Sequence, residues 1–334
     1  MIYSYLTMRH PVVEYTLNKI DDLSIVKAKY GFLSILYFPL HITFSLIRNR
    51  GVSFNFQYAN YRYFLAVIIL ILLKKDYSVS LWGSDYYKCD GLRKKIVGFI
   101  LLNAKKVSIA SLSSEQYLKE KFGAINVEVV PFLIPNLEEI AQAVNNDFPL
   151  TEGKKRRILC GTNGSSNQQF ELIIESLKNA EKELIDSYII VFHLSYGLTK
   201  EIKFLIDDFM KNTNLECEVV YEYLQGTSLV EFRKSIDVLV QIQKTDQLSA
   251  AMFEHLVQNK LVITGDWLPY EDLRNIGINY KTVSKGNIVS ELSNMLVSLD
   301  TLTVDSKLKN NQKYIIDNYG RYSGVKRWSK FMAG

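Results

Sequence analysis

The sequence predicts an α/β protein of two doubly wound domains facing each other across a cleft. Three observations predict it. Short β-branched runs alternate with stretches of helical periodicity along nearly the whole chain, the pattern of parallel sheets flanked by helices. The alternation stops in a stretch rich in Pro, Asn and charge at 132–156, then starts again. The length, 334 residues, suits two domains. The expected bounds are 1–150 for the first domain and 151–310 for the second. The remaining residues, 311–334, hold Tyr314, Ile315, Tyr319, Trp328 and Phe331, which suit a terminal helix packed across the domain junction.

Taken in order, residues 1–7 read as a first strand, followed by a loop and helix start at His10 and Pro11. His10 is a candidate active-site loop residue, with plain surface exposure as the alternative; the resemblance named below would put it on the acceptor side. Residues 21–50 are aromatic and aliphatic and are interrupted by Pro39, which reads as two helical pieces or one kinked helix. Their apolar face is generous; core packing is the default reading and a membrane-surface contact the other. Strands at 52–58, 78–82, 107–111 and 127–131 alternate with helices at 60–75, 92–103 and 113–123, the last closed by Gly123. The second block offers strands at 157–161, 188–194, 218–221, 237–243, 261–264 and 282–284. Helices fall at 170–180, 200–211, 228–235, from Ser249 onward, at 270–275 and at 288–299.

Composition narrows the class. Apolar residues make up 48% and charged residues 22%, enough for sizeable cores. Cys89, Cys160 and Cys217 are scattered without metal-ligand spacing, which fits a reducing compartment rather than a disulfide framework. The first residues lack the basic start of a secretory signal. The longest apolar run, 64–73, is shorter than the roughly 20 residues a membrane span needs. A cytoplasmic location follows, with the inner membrane face as a peripheral site. Residues 1–150 carry 17 Lys and Arg against 12 Asp and Glu, whereas the rest balances at 23 of each. Lys88, Arg93, Lys94, Lys95, Lys105, Lys106, Lys119 and Lys121 crowd near Tyr86, Tyr87 and Tyr117. Such a face suits anionic lipid headgroups or a phosphorylated acceptor, or is an ordinary solvated helix face. None of the usual nucleic-acid signatures is present, so no nucleic-acid partner is expected.

Ligands of open α/β sheets bind beyond the carboxyl ends of the strands. Gly83, Ser84 and Asp85 turn off such an end, and Asp85 either faces chemistry or caps the next helix. Gly161, Asn163 and Gly164 follow another strand. Glycines there permit close backbone approach, making the loop an anion cradle or a plain turn. It has neither G-x-G-x-x-G nor the P-loop lysine. The third place is Lys244 to Glu254. Gln247 and Ser249 supply turn and cap chemistry before a helix whose first amides, at Ser249, Ala250 and Ala251, suit a diphosphate. Asp246 lies at its mouth and Glu254 about two turns in. A surface crossover with solvated acids is the alternative.

On these residues the chain resembles the GT-B-type glycosyltransferases, in particular the large retaining family with an acidic–seven–Glu signature. The carriers are Leu81-Trp-Gly-Ser-Asp85, Asn103-Ala-Lys-Lys-Val107, Val129-Val-Pro-Phe132, then Asp246-Gln-Leu-Ser-Ala-Ala-Met-Phe-Glu254 and Leu261-Val-Ile-Thr-Gly-Asp-Trp267, in this order. The resemblance implies two Rossmann-like domains and retaining transfer of a sugar from a nucleoside diphosphate to a growing, perhaps lipid-linked, glycan in surface polysaccharide synthesis. It assigns Glu254 to the ribose hydroxyls, Asp246 to the vicinity of the donor sugar and Asp85 to the acceptor side. The backbone at Ser249, Ala250 and Ala251 would take the diphosphate, Gly161 and Asn163 would line the opposite wall, and Lys244 would neutralise the phosphates. The nucleotide-sugar is a substrate; no cofactor and no metal are expected, since no Asp-x-Asp motif is present. The chain departs from the family at Trp82, where His is common, and at Asp246, where Glu is usual. Gln168, Gln169 and Phe170 stand where a basic pair is common. Two rival readings stay open: a non-catalytic partner subunit of a transferase, and a sugar-nucleotide epimerase, which four His residues in the whole chain make hard to build.

Overall fold

A computed structural model describes residues 1–7, 11–27, 33–49, 51–87, 89–123, 125–143 and 155–333. The chain forms two compact units, one of residues 1–135 with 319–334 and one of residues 136–318.

The first unit opens with β1 (Ile2–Leu6), α1 (Pro11–Leu17), β2 (Leu23–Lys27), α2 (Ser34–Arg48) and β3 (Ser53–Gln57). It continues with α3 (Phe64–Leu72), β4 (Tyr77–Ser80), α4 (Ser84–Tyr87), α5 (Gly91–Leu102), β5 (Lys106–Ile109), α6 (Ser113–Phe122) and β6 (Val127–Val129). The strands form one sheet in the order β2-β1-β3-β4-β5-β6, with every pair parallel. Alternation along the strands splits the side chains between two faces. Tyr5, Phe54, Phe56, Tyr77, Val79 and Val107 share one core with the inner faces of α2, α3, α5 and α6.

The opposite face is polar and still buried. Ser4 Oγ donates to Asn55 Oδ1 at 3.1 Å, Asn55 Nδ2 donates to Ser78 Oγ at 2.9 Å, and Gln57 Nε2 donates to Asn55 Oδ1 at 2.6 Å. A buried polar group left unpaired costs about 1–3 kcal/mol, so the ladder stands only because its members satisfy one another. Val13 and Leu17 of α1 cluster beside this face with the last helix of the chain.

Two expectations change here. For residues 21–50 the reading of two helical pieces fails, because the first part is β2, whereas one helix through Pro39 holds, Pro39 lying inside α2. Leu23-Ser-Ile-Val-Lys27 completes the ladder of β1 in register, Ile2 opposite Leu23 and Leu6 opposite Lys27. Within the stretch read as a linker, α7 (Leu137–Gln142) forms and belongs to the second unit. Leu137 and Ile140 are buried, and Ile140 O accepts from Gln258 Nε2 at 3.3 Å.

The second unit continues with β7 (Arg156–Cys160), α8 (Phe170–Asn179), α9 (Glu181–Leu184), β8 (Tyr188–His193), α10 (Lys200–Asn212), β9 (Glu216–Val220) and α11 (Gly226–Ser235). After these come β10 (Val238–Gln241), α12 (Ala250–Leu256), β11 (Leu261–Gly265), α13 (Glu271–Asn275), β12 (Lys281–Val283), α14 (Ile288–Val297), α15 (Leu299–Thr303) and α16 (Asn311–Tyr319). The sheet order is β12-β11-β10-β7-β8-β9, again wholly parallel. The winding direction reverses between β7 and β10, which places the loops after these two strands side by side.

The final helix, α17 (Arg321–Ala333), belongs to the first unit. Trp328 is 1% exposed, donates from Nε1 to Pro131 O at 2.8 Å and stacks on Trp82 at 6.1 Å between centroids. Phe331 lies beneath the Lys106 ammonium, 4.8 Å from its ring centroid. Trp328→Ala is expected to destabilise the first unit by about 3–5 kcal/mol, seen as a lower urea midpoint for its unfolding transition.

Candidate functional site

The loops at the reversal point of the second sheet are bound to each other. Lys244 N donates to Asn167 O at 2.9 Å, Asn167 Nδ2 donates to Thr245 O at 2.9 Å, and Thr245 N donates to Asn167 Oδ1 at 3.2 Å. Gly161 N donates to Val240 O, and Gln169 Nε2 donates to Ile242 O. Gly161 needs to be glycine: its φ is +72°, and a Cβ there would meet the Phe170 ring at 2.8 Å. Gln168 is fully buried and its Oε1 accepts from Thr162 N. The two glutamines that stand in place of a basic pair therefore brace the loops. Asn163, 7% exposed, accepts from Ser165 N at 3.0 Å through Oδ1 and donates to Tyr196 Oη at 3.3 Å.

Gln241 ends β10 and is fully buried. Its Oε1 accepts from Ser249 Oγ at 2.7 Å, and Ser249 Oγ in turn accepts from Met252 N at 3.2 Å. Its Nε2 lies 3.2 Å from Tyr270 Oη. Tyr270 Oη donates to Asp246 Oδ2, and Asp246 Oδ1 accepts from Gln247 N at 2.9 Å. A continuous relay thus joins the start of α12 to Asp246. Asp246 is half-buried, and desolvation raises its pKa against the opposing effect of its two hydrogen bonds. The Tyr270 hydroxyl is driven far above its ordinary range by burial, then by the neighbouring carboxylate. Ser249 is a true N-cap, and its hydroxyl already uses the Met252 amide. Lys244 is exposed.

Glu254 is not solvated. It is 5% exposed, and its Oε2 accepts from Nε of Arg233, itself 4% exposed, at 2.7 Å. A ribose contact through Glu254 would therefore fall to its other oxygen. Nη1 of Arg233 is buried without a partner. Two histidines feel this guanidinium. His255 is fully buried, and its pKa lies well below the ordinary value, first through desolvation and then through Arg233. His193, 4% exposed, is lowered by the same leading cause.

In the first unit, Asp85 is turned inward. It is 4% exposed and accepts from Ala59 N at 3.0 Å and Trp82 N at 3.1 Å, tying the loop after β3 to the loop after β4. Gly83 has φ +100°, which lets the chain turn into α4, and Ser84 opens that helix. Trp82 Nε1 donates to Gln57 Oε1 at 2.8 Å. His10 lies outside the described residues.

The basic cluster does not survive as one face. Lys106 is 7% exposed, its pKa lowered by desolvation. Lys121 Nζ donates to Tyr86 O at 2.6 Å, Lys119 pairs with Glu115 and Lys105 with Asp76. Arg93, Lys94 and Lys95 stand exposed on the first turn of α5. Lys88 lies outside the described residues. Among the described residues no group of three or more His, Cys, Asp or Glu side chains is arranged to hold a metal ion.

With this geometry in view, the likeness to solved structures is extensive in shape and slight in sequence. A glycosyltransferase from Rickettsia africae ESF-5 matches 99% of this chain and 97% of its own, with a TM-score of 0.77 and 12% identity. The fold is that of the GT-B glycosyltransferases. Anabaena HepE, solved in complex with UDP and glucose, shares this GT-B fold over 100% of this chain and 99% of its own, with a TM-score of 0.72 and 10% identity. Sucrose-phosphate synthase from Thermosynechococcus elongatus matches 92% of this chain and 82% of its own, with a TM-score of 0.66 and 13% identity. No family model matches the sequence, and no curated protein matches it.

Sequence reasoning missed Gln241, Tyr270, Asn167 and Arg233. Gln241 had a visible signal, an amide inside an otherwise apolar β-branched run. Arg233 had none, because its partner lies 21 residues away on another helix.

Two outcomes are expected. Arg233→Met strands a buried carboxylate and costs about 3–5 kcal/mol, whereas Arg233→Met with Glu254→Leu recovers most of that loss in a double-mutant cycle read by urea unfolding. Burial moves the Asp85 carboxyl from its ordinary 3.8 up to about 6. The folded state then holds this proton more tightly than the unfolded state, so the contribution is greatest below about pH 4 and is lost as pH rises through about 6. Stability relative to Asp85→Asn should fall by up to about 3 kcal/mol across that window, measured by unfolding at a series of pH values.

Proposed function

We propose that the protein is a glycosyltransferase moving a sugar from a nucleoside-diphosphate donor to a growing, lipid-linked glycan in surface polysaccharide synthesis. It works on the cytoplasmic side of a membrane with which it makes peripheral contact. The observation that carries the reading is the pair of mutually bonded loops at the reversal point of the second sheet, within a GT-B fold. Open α/β sheets bind ligands at this position.

In this reading the donor diphosphate meets the amides of Ala250 and Ala251 and the ammonium of Lys244. As the bond between the sugar carbon and the diphosphate oxygen breaks, that oxygen gains negative charge, and fixed N–H groups and a cation lower the barrier most at that moment. The acceptor hydroxyl oxygen bonds to the same carbon, and its proton passes to the departing diphosphate oxygen. Asp246, held by Tyr270, lies beside the donor sugar, Gly161 and Asn163 form the opposite wall, and the free oxygen of Glu254 takes the ribose. Gly83 and Ser84 belong to the acceptor side, where the role of Asp85 is to hold two loops together. The acidic–seven–Glu spacing supports retention of configuration. The donor is a substrate, and the scheme uses no cofactor and no metal.

One observation favours a second reading, a non-catalytic partner subunit: Gln168 and Gln169 brace loops where the related enzymes carry bases, and Glu254 is engaged by Arg233. Incubation with UDP-, GDP- and dTDP-sugars separates the two. Turnover of one donor is expected, with Lys244→Ala lowering kcat roughly 100-fold. Absence of turnover and of any rise in melting temperature with all three nucleoside diphosphates would refute the transferase reading. Activity that arises only after a partner protein is added would favour the subunit.

A further inference from the structure

The first unit carries an apolar surface that the proposed chemistry does not use. The helix α2 is apolar on both sides. Its inner side buries Phe38, Pro39, Ile42 and Leu46. Its outer side exposes Leu33, Leu36, Tyr37, Leu40, Phe44 and Ile47, with Leu40 at 70% and Ile47 at 78% exposure. These positions recur three and four residues apart and so form one stripe about 22 Å long on the 15-residue helix. Scattered exposed apolar residues are normal on a protein surface; a continuous stripe is not.

Neighbouring helices extend the patch. The helix α2 packs on α3, and α3 packs on α5, where Phe64 meets Phe99 at 5.5 Å between centroids. Leu72 and Leu73 at the end of α3, and Leu92 and Leu102 on α5, are exposed. None of the three helices contains Asp or Glu. Around them stand Arg48, Lys74, Arg93, Lys94 and Lys95, all exposed. Two exposed carboxylates, Asp76 just past α3 and Asp90 at the start of α5, stand among these five cations, so the margin is predominantly cationic. An apolar face with such a margin complements a surface that is anionic outside and hydrocarbon within. A protein partner would also meet the stripe, but nothing in such a contact calls for a margin weighted to one sign.

We propose that the outer face of α2, with the exposed ends of α3 and α5, docks this protein on an anionic lipid bilayer. The helix lies in the plane of the interface, its Leu, Phe and Ile side chains entering the acyl boundary while the Arg and Lys side chains remain among the headgroups. The proposal gives a location to the peripheral contact of the function proposed above and rests on that reading only for its biological purpose. Binding is measured without donor or acceptor, so it succeeds or fails separately from sugar transfer.

The test is flotation of the full chain with vesicles of equal parts phosphatidylglycerol and phosphatidylcholine, beside vesicles of phosphatidylcholine alone. The wild type should float with the anionic vesicles, weakly with the neutral ones, and less as salt is raised. Leu40→Ser with Phe44→Ser should reduce the bound fraction at least roughly tenfold while melting temperature and circular dichroism stay unchanged, because both side chains are already in solvent. Arg93→Glu with Lys94→Glu and Lys95→Glu, a variant that leaves α2 intact, should do the same. A wild type that stays in the aqueous layer overturns the proposal. So does undiminished binding by either variant. A wild type that is dimeric, becomes monomeric in the Leu40 and Phe44 variant and ignores vesicles assigns the stripe to a second copy of the chain instead.

Discussion

A single buried amide, that of Gln241, fixes the strand ends of the second unit. Its oxygen is bonded to the Ser249 hydroxyl and its nitrogen to the Tyr270 hydroxyl. Neither end can be released cheaply, because a buried polar atom without a partner loses its water and gains nothing. Through Ser249 the amide sets where α12 begins, and through Tyr270 it sets where the Asp246 carboxylate points. The backbone bonds between Asn167 and residues 244–245 then hold the neighbouring loop against the same frame. These loops are positioned by the strand that Gln241 ends, with the chain beyond it as follower.

Two of the carboxylates that the sequence singles out, Asp85 beyond a strand end and Glu254 in the acidic–seven–Glu spacing, are both occupied by their own protein. Asp85 accepts two backbone amides, and Glu254 neutralises Arg233. A buried ion pair costs desolvation on both sides and is weak evidence of stability; its worth is in fixing geometry. Here it locks α12 to α11. The half-buried acid, Asp246, is the one with a hydroxyl donor on one oxygen and access to the strand ends.

Local patterns carried most of the architecture. Period-two alternation located β1, β3 and β10, a continuous apolar run located β8, and residue preference located the Ser249 cap, because these depend on neighbours in sequence. β2 was hidden because Leu23–Lys27 is a short edge strand with a half-covered face, so its alternation is diluted by the aromatic stretch that follows. Pro39 left two readings open, a break or one helix through it: proline opposes helices by removing one amide donor, but burial of Phe38, Ile42 and Leu46 around it outweighs that loss, and one helix forms. The basic cluster dissolved because linear density of charge says nothing about partners: Lys106 went over the Phe331 ring and Lys121 onto the carbonyls of Tyr86 and Tyr87. Side-chain relays such as Gln241 with Tyr270 are long-range in sequence and leave no period to read.

The return of α17 to the first unit has a consequence during synthesis. Trp328 and Phe331 leave the ribosome after every residue of the second unit, so the part of the first unit that they cover waits uncovered while 136–318 is made. A waiting sheet face of Val and Leu would invite association with other nascent chains. Beside the apolar residues that the final helix covers, among them Leu6, Val13, Leu17, Tyr58 and Leu133, this face presents Ser4, Asn55, Gln57, Ser78 and Ser80, which water can solvate until that helix arrives. The polar ladder thus narrows the apolar area that a discontinuous domain leaves open while it is translated.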